Sequence, residues 1–307
     1  MSLIVVGSFA LDTIRMPDGR LYKDILGGSG IYFALAAATL APEVAVVGAV
    51  GGDFPFPKLR MLRNQGVQTD GLVKVADGKT FRWEGTYQAN MDDRVTDNLQ
   101  LGVLASHTPQ LSDEHRNAAH VFLACAMPSL QLATLRQMKR KPLAVCDTIQ
   151  VYIENDRPEL LKVIKSCGGI IINDSEARLL LGDENMVRCA KALCRMGPRF
   201  AVVKKGANGA LLAIRERAQT AVYPLPAWPL AKVADPTGAG DSFAGGFMGW
   251  LAKTGKADAA TLRQAAVHGT AVASFTCEGV GPSRLARLSA NEVTERAHQF
   301  AALLNCR

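Results

Sequence analysis

Short, uninterrupted apolar runs alternate along this chain with longer stretches of helical period. Residues 3–7, Leu-Ile-Val-Val-Gly, contain no polar break, and 44–50 repeats the type. Runs of this kind suit strands buried on both faces, as parallel strands are. Others at 121–124, 143–146, 169–172 and 200–203 each alternate with a helical segment, a pattern that predicts βαβ units and a parallel sheet covered on both sides. The helices end at breakers: 29–40 is alanine-rich and stopped by Pro42, 129–139 is followed by Pro142, and 183–196 runs into Gly197-Pro198. Three more are predicted at 240–253, 258–275 and 291–304.

Two stretches break the rhythm. Residues 12–26 carry Met16-Pro-Asp-Gly-Arg20 and 73–88 carry Ala76-Asp-Gly-Lys79, each an Asp-Gly turn between strand-like runs. Both predict hairpins. In the second, Phe81, Trp83 and Tyr87 alternate with Arg82, Glu84 and Thr86, which puts three aromatics on one face. The two hairpins, with 98–104, are expected to form a small β-sheet standing off the main domain, assembled from separate segments so that no linker is visible.

Length and composition narrow the class. At roughly 150 residues per domain, 307 residues fit one large α/β domain with an appendage. Hydrophobic residues at 48% and charged residues at 21% are those of a globular protein with a buried core. The longest largely apolar run, 31–41, is shorter than the ~20 residues of a membrane span, and the N-terminus has no basic-then-apolar leader. Seven cysteines, without a Cys-x-x-Cys pair and with Cys189 and Cys194 at no common zinc spacing, read as reduced, mostly buried thiols. A cytoplasmic protein without a membrane partner is expected. Thirty-five Lys and Arg against 28 Asp and Glu leave +7, which suits anionic ligands. The densest basic patch, Lys139-Arg140-Lys141, closes a helix, where cations face its dipole favourably, so no nucleic-acid partner is expected.

The most informative stretch is Asp235-Pro-Thr-Gly-Ala-Gly-Asp241, followed by Ser242-Phe-Ala-Gly-Gly246. Gly238, Ala239 and Gly240 open a helix, where amides lack intrahelical partners and the dipole is positive. Such a turn holds an anion. Asp241 in the first helical turn would repel a bound phosphate, so it serves phosphate binding poorly and proton abstraction well. A hydroxyl between Asp241 and a terminal phosphoryl group can lose its proton as it attacks, while the amides stabilise the charge on the transferred group. An ordinary glycine-rich helix start with a favourable acidic residue is the competing reading.

At these residues the chain resembles the PfkB (ribokinase-like) carbohydrate and nucleoside kinases, over nearly its whole length. The resemblance implies an α/β fold, a ribokinase-like Rossmann-type three-layer sandwich with a small β-sheet lid. It implies a single catalytic domain over 1–307, with the lid from discontinuous segments at about 12–26 and 73–104. It makes Asp241 the catalytic base and Gly238, Ala239 and Gly240 the anion hole. Gly7-Ser-Phe-Ala-Leu-Asp12 and Leu26-Gly-Gly-Ser-Gly30 resemble the substrate motifs, so Asp12 would accept substrate hydroxyls while Gly27 and Gly28 allow close backbone approach. Asn173-Asp-Ser-Glu176 matches an Asn-x-x-Glu motif, implying that Asn173 and Glu176 place Mg2+ through water beside the ATP phosphates. Lys205, Gly206 and Gly209 fall where the family turns past the nucleotide. Asp235 sits where many members bind a monovalent cation, K+. From residues alone, Asn173 and Glu176 are equally a helix cap with an acidic first turn, Asp12 can begin a hairpin, and Gly27-Gly28 can be a plain loop.

Two positions depart from the family. Tyr32 stands where an asparagine often contacts a sugar hydroxyl, and Phe56 replaces a usual glycine. His268 has two readings, a nucleotide-site residue near the adenine and a structural histidine on an alanine-rich helix. The competing functions are weaker: Val47-Gly-Ala-Val-Gly-Gly-Asp53 follows a strand but lacks the dinucleotide Gly-x-Gly-x-x-Gly spacing, and no P-loop sequence occurs. A ligand-binding homologue without catalysis would gain nothing from Asp241. For the acceptor, Tyr32, Phe81, Trp83 and Tyr87 suit a stacked nucleobase, worth ~1–3 kcal/mol per base in single-strand binders. A nucleoside is therefore expected before a free sugar. The same rings can instead pack the lid against the body or a second subunit, as in a homodimer through the lid. Arg82 and Arg94 leave a sugar acid or sugar phosphate open.

Overall fold

The computed structural model describes residues 1–91, 93–217 and 219–304. Among the described residues, nine strands form one sheet in the order β13 (Gln219–Leu225), β12 (Ala210–Glu216), β11 (Phe200–Lys204), β10 (Gly169–Asn173), β9 (Leu143–Cys146), β8 (His120–Leu123), β1 (Leu3–Val6), β4 (Val44–Gly51) and β5 (Gln68–Val75). From β11 to β5 every pair is parallel, and β12 and β13 add an antiparallel edge. The six apolar runs in the sequence are six of these strands.

The central strands β1, β4, β8 and β10 are buried on both faces, and because successive side chains point opposite ways they feed two cores. Leu3 and Val5 join a core with α1 (Ser29–Ala38), α2 (Arg60–Asn64), α8 (Ala239–Thr254), α9 (Ala259–Thr276) and α10 (Ala290–Leu304). Ile4 and Val6 join a second core with α3 (Pro128–Gln137), α4 (Gln150–Asn155), α5 (Arg157–Ser166), α6 (Asp174–Leu181) and α7 (Met186–Arg195). This is the expected three-layer sandwich. A β-carbon at Gly245 would lie 2.7 Å from that of Ala36, so α8 crosses α1 almost backbone to backbone, which aims its N-terminus at the carboxyl edge of the sheet.

The small sheet runs β3 (Leu21–Gly27), β2 (Ala10–Arg15), β6 (Phe81–Tyr87), β7 (Arg94–Gln100). The first expected hairpin is present, with Gly19 at φ 86° in its turn. The second is not a hairpin. Residues 68–75 pair with β4 in the large sheet, while 81–87 pair in parallel with β2 in the small one. A two-residue type I′ turn needs positive φ at both central residues, and neither Asp77 nor Gly78 has it. Gly78 instead accepts a hydrogen bond from the Gly52 N–H at 3.0 Å, and the chain crosses from one sheet to the other. The small sheet is thus built from 10–27 and 81–100, and Leu104 packs beneath Phe81 and Ala10.

A polar clamp fixes this crossing. Asp53 Oδ1 accepts both the N–H and the hydroxyl of Thr80 at 2.8 Å, and Arg82 pairs with Asp24 at 2.7 Å and Asp53 at 3.7 Å. Arg82 is spent at the hinge. Helix α3 ends at Gln137, so the basic patch lies beyond it, with Lys139 on Asp113 at 3.0 Å. Six cysteines are free thiols, and Cys306 lies outside the described residues. Among the described residues no helix is long and apolar enough to cross a membrane.

Candidate active site

Strand order reverses at β1, which has β4 on one side and β8 on the other. Open α/β sheets bind ligands in the crevice at such a switch, outside the carboxyl ends of the strands. Gly7, Ala124, Asp147, Asn173 and Lys204 all end or directly follow parallel strands on that edge.

Helix α8 begins there. Gly238 adopts φ 75°, ψ 3°, and a β-carbon on it would run into the Tyr32 ring, so glycine is required twice over. Ala239 N–H bonds Pro236 O at 3.1 Å, while the amides of Gly240 and Asp241 in the first turn have no intrahelical acceptor. A β-carbon at Gly240 would lie 3.0 Å from Lys204 Nζ. The ammonium beside the amide turn is therefore that of Lys204. Lys205, the expected residue, closes the next turn through its N–H on Gly209 O at 2.7 Å, with Gly206 and Gly209 both at positive φ.

Three carboxyls share this space with one lysine. Lys204 Nζ lies 3.6 Å from Asp147 Oδ2, and Asp147 is only 7% exposed. Burial and then the Asp147 charge push the Asp241 carboxyl up to about 7, against Lys204 and Arg94. Glu176 rises to about 8 through the same two causes. Burial pulls Lys204 down, but Asp147, Glu176 and Asp241 outweigh it and hold the ammonium charged. Asn173 and Glu176 lock each other in a capping box, Asn173 N–H to Glu176 Oε2 and Glu176 N–H to Asn173 Oδ1, both 2.8 Å. So crowded a set of buried carboxyls fits a divalent cation. Among the described residues no group of three acidic, histidine or cysteine side chains forms a ready-made metal site.

On the lid side, Ser8 and Ser29 join the two N-terminal motifs, with their hydroxyls 3.0 Å apart and each backbone N–H on the other's hydroxyl. Gly28, at φ 88°, caps α1. The Asp12 carboxyl lies so close over Gly27 that no β-carbon fits there. Asp12 is 4% exposed, and burial, followed by the charges of Asp235 and Asp241, raises its carboxyl to about 8. Trp83 is its register partner on β6, so both face the same way. The indole donates to Thr96 Oγ1 at 3.2 Å, and Arg94 lies 5.9 Å over its ring.

The other three aromatics are packed away. Phe81 is covered by Ala10 and Leu104, and Tyr87 by Ile14 and Met16. Tyr32 is 1% exposed against Gly238, and among the described residues its buried hydroxyl has no hydrogen-bond partner. Among the described residues Asp235 has no cationic partner; its two oxygens accept Thr237 N–H at 2.9 Å and Gly281 N–H at 2.8 Å. A buried carboxylate so placed fits a monovalent cation. His268 is not drawn into the cluster: Nδ1 meets Gln264 O at 2.8 Å and the ring stacks on Trp250 at 3.8 Å. Asp147 and Lys204 were missed in the sequence. A charged residue at the carboxyl end of an apolar strand is the signal that finds them.

The class that such a sheet, lid and helix start define is that of the ribokinase-fold sugar and nucleoside kinases. A family model described as pfkB family carbohydrate kinase matches residues 2–287, and the chain belongs to that family. It is 30% identical over 257 residues to the cytidine kinase of Thermococcus kodakarensis, covering 81% of this chain and 87% of that one. Its fold is similar to Burkholderia thailandensis nucleoside kinase in complex with inosine, with TM-score 0.77, 21% identity and 98% and 99% of the two chains covered. It is likewise similar to Cryptococcus neoformans var. grubii ribokinase in complex with ADP, with TM-score 0.76, 25% identity and 96% and 99% covered.

Proposed function

We propose that the protein transfers the γ-phosphoryl group of ATP to a hydroxymethyl group of a nucleoside. The observation that carries this reading is the Asp241 carboxyl, raised to about 7 beside an open amide turn. A base poised near the working pH combines the right protonation state with useful basicity. Asp12 holds the acceptor by its hydroxyls. Asp241 takes the proton of the attacking hydroxyl as the new O–P bond forms, the bond to the β-phosphate oxygen breaks, and ADP leaves with its electron pair. The open amides of the turn, those of Gly240 and Asp241, and the Lys204 ammonium stabilise charge on the transferred group, whereas the expected Ala239 amide is already bonded to Pro236 O. Asn173, Glu176 and Asp147 would hold magnesium through water, where the ion neutralises charge on the phosphates. Asp235 would hold a monovalent cation such as K+.

Lys204→Ala is expected to lower kcat by about 10²-fold, the cost of losing one preorganised charge-stabilising donor. It should also move the acid limb of the rate profile to higher pH, because Lys204 opposes the rise of Asp241. An unmoved limb would show that the ammonium does not act on Asp241.

The nucleoside rests on Trp83, which shares a lid face with Asp12, and on the likeness to a cytidine kinase. With ATP and magnesium, nucleosides should give higher kcat/KM than free pentoses, hexoses or sugar acids, and Trp83→Ala should narrow that gap. If a free sugar or sugar acid is the better acceptor and Trp83→Ala weakens all acceptors alike, the ring is lid packing and the acceptor is that sugar.

A further inference from the structure

Tyr87 joins the lid to the start of α8. Its ring is 3% exposed, wedged against Ile14, Met16, Met91 and Val280, and its hydroxyl lies 2.9 Å from Thr237 Oγ1. Thr237 in turn donates its N–H to Asp235 Oδ1, and Asp235 Oδ2 accepts from Gly281. The side chain of Thr237 also opposes the rise that burial imposes on the Asp235 carboxyl. The residue after Thr237 is Gly238, where the amide turn begins. A chain of polar contacts thus runs from a lid strand into the segment that aims those amides. Packing alone would need only a phenylalanine, whereas a buried hydroxyl without a partner is costly. Burial holds the phenol at about 12, so it stays neutral over the working range.

We propose that Tyr87 is a positioning residue whose hydroxyl, through Thr237, couples closure of the lid to the seating of the amide turn at 238–240. This rests on the reading of that turn as the site of the transferred phosphoryl group. The amides reach their productive geometry when the lid covers the acceptor, so transfer and exclusion of water are tied together. With its ring 3% exposed, Tyr87 acts through Thr237.

Tyr87→Phe keeps the ring and removes the link. It is expected to lower kcat by about fivefold to tenfold, the range of one net hydrogen bond, with KM for ATP and acceptor within about twofold. Thr237→Val should match it, the double variant should be no worse than either single one, and Thr237→Ser should recover most of what Thr237→Val loses. Hydrogen exchange of the ligand-free protein supplies a readout that needs no turnover: amides of 81–87 should exchange several-fold faster in Tyr87→Phe. Exchange at the wild-type rate overturns the proposal whatever the activity, as does a double variant whose loss is the product of the single losses. A wild-type protein that phosphorylates no nucleoside or sugar refutes the kinase reading instead, and leaves the link to be judged by exchange.

Discussion

Asp241→Asn should turn over at least ~10²–10⁴ times more slowly than the wild type while still binding nucleotide, because an amide cannot take the hydroxyl's proton. The wild-type kcat/KM should fall with decreasing pH below about 7, the value to which burial and Asp147 raise Asp241. The sign follows from the role: the base works ionised, and acid removes it. In Asp241→Asn that limb should vanish with the activity. More than about a tenth of wild-type turnover in the variant would strip Asp241 of its role, since loss of a group acting only in the transition state appears in kcat.

The second large effect is on the acceptor. Asp12→Ala should lower acceptor kcat/KM by up to about 10²-fold, the upper scale of two hydrogen bonds to a buried carboxyl, and leave the nucleotide KM within about threefold. Equal losses for both substrates would make Asp12 part of the lid's shape instead. The same carboxyl predicts a gain in stability when its charge is removed. Its value is 3.8 when unfolded and about 8 when folded, so between those limits folding takes up a proton and stability falls as pH rises. Asp12→Asn should therefore melt about 2–5 °C above the wild type at pH 8.5, with the gap closing as the pH approaches 4. A calorimetric scan at several pH values decides it. Variants at a functional site that gain stability as they lose activity are a common pattern.

The large sheet was legible because its central strands are buried on both faces, and such strands write themselves as unbroken runs such as Ile170-Ile171-Ile172. The edge strands were harder. In β13 the residues are mostly half-buried and include Pro224, so neither a run nor a clean alternation marks it. The second hairpin failed on one residue pair: Asp77-Gly78 carries the composition of a tight turn, but its backbone angles come from the contact with Gly52, which no local signal records. The helix start at 238–241 could be read because the chemistry lies in consecutive residues. Asp147 and Lys204 carry a weaker signal, a single charge at the end of an apolar strand, whose meaning appears only when five strand ends are set side by side. Tyr32 was misleading for a related reason: its position pointed to the acceptor, and its neighbours in space bury it under Gly238.

The middle of the small sheet is a parallel pair, β2 with β6, contributed by two distant parts of the chain. Each insert alone would be a hairpin or ribbon with an open edge, and open edges invite wrong partners. Under the proposed function, acceptor preference can therefore not be grafted between relatives as one cassette. Exchanging 10–27 without 81–100 would set a foreign strand against a resident one and shift Asp12 relative to Trp83, so any library meant to change the acceptor has to vary both inserts together.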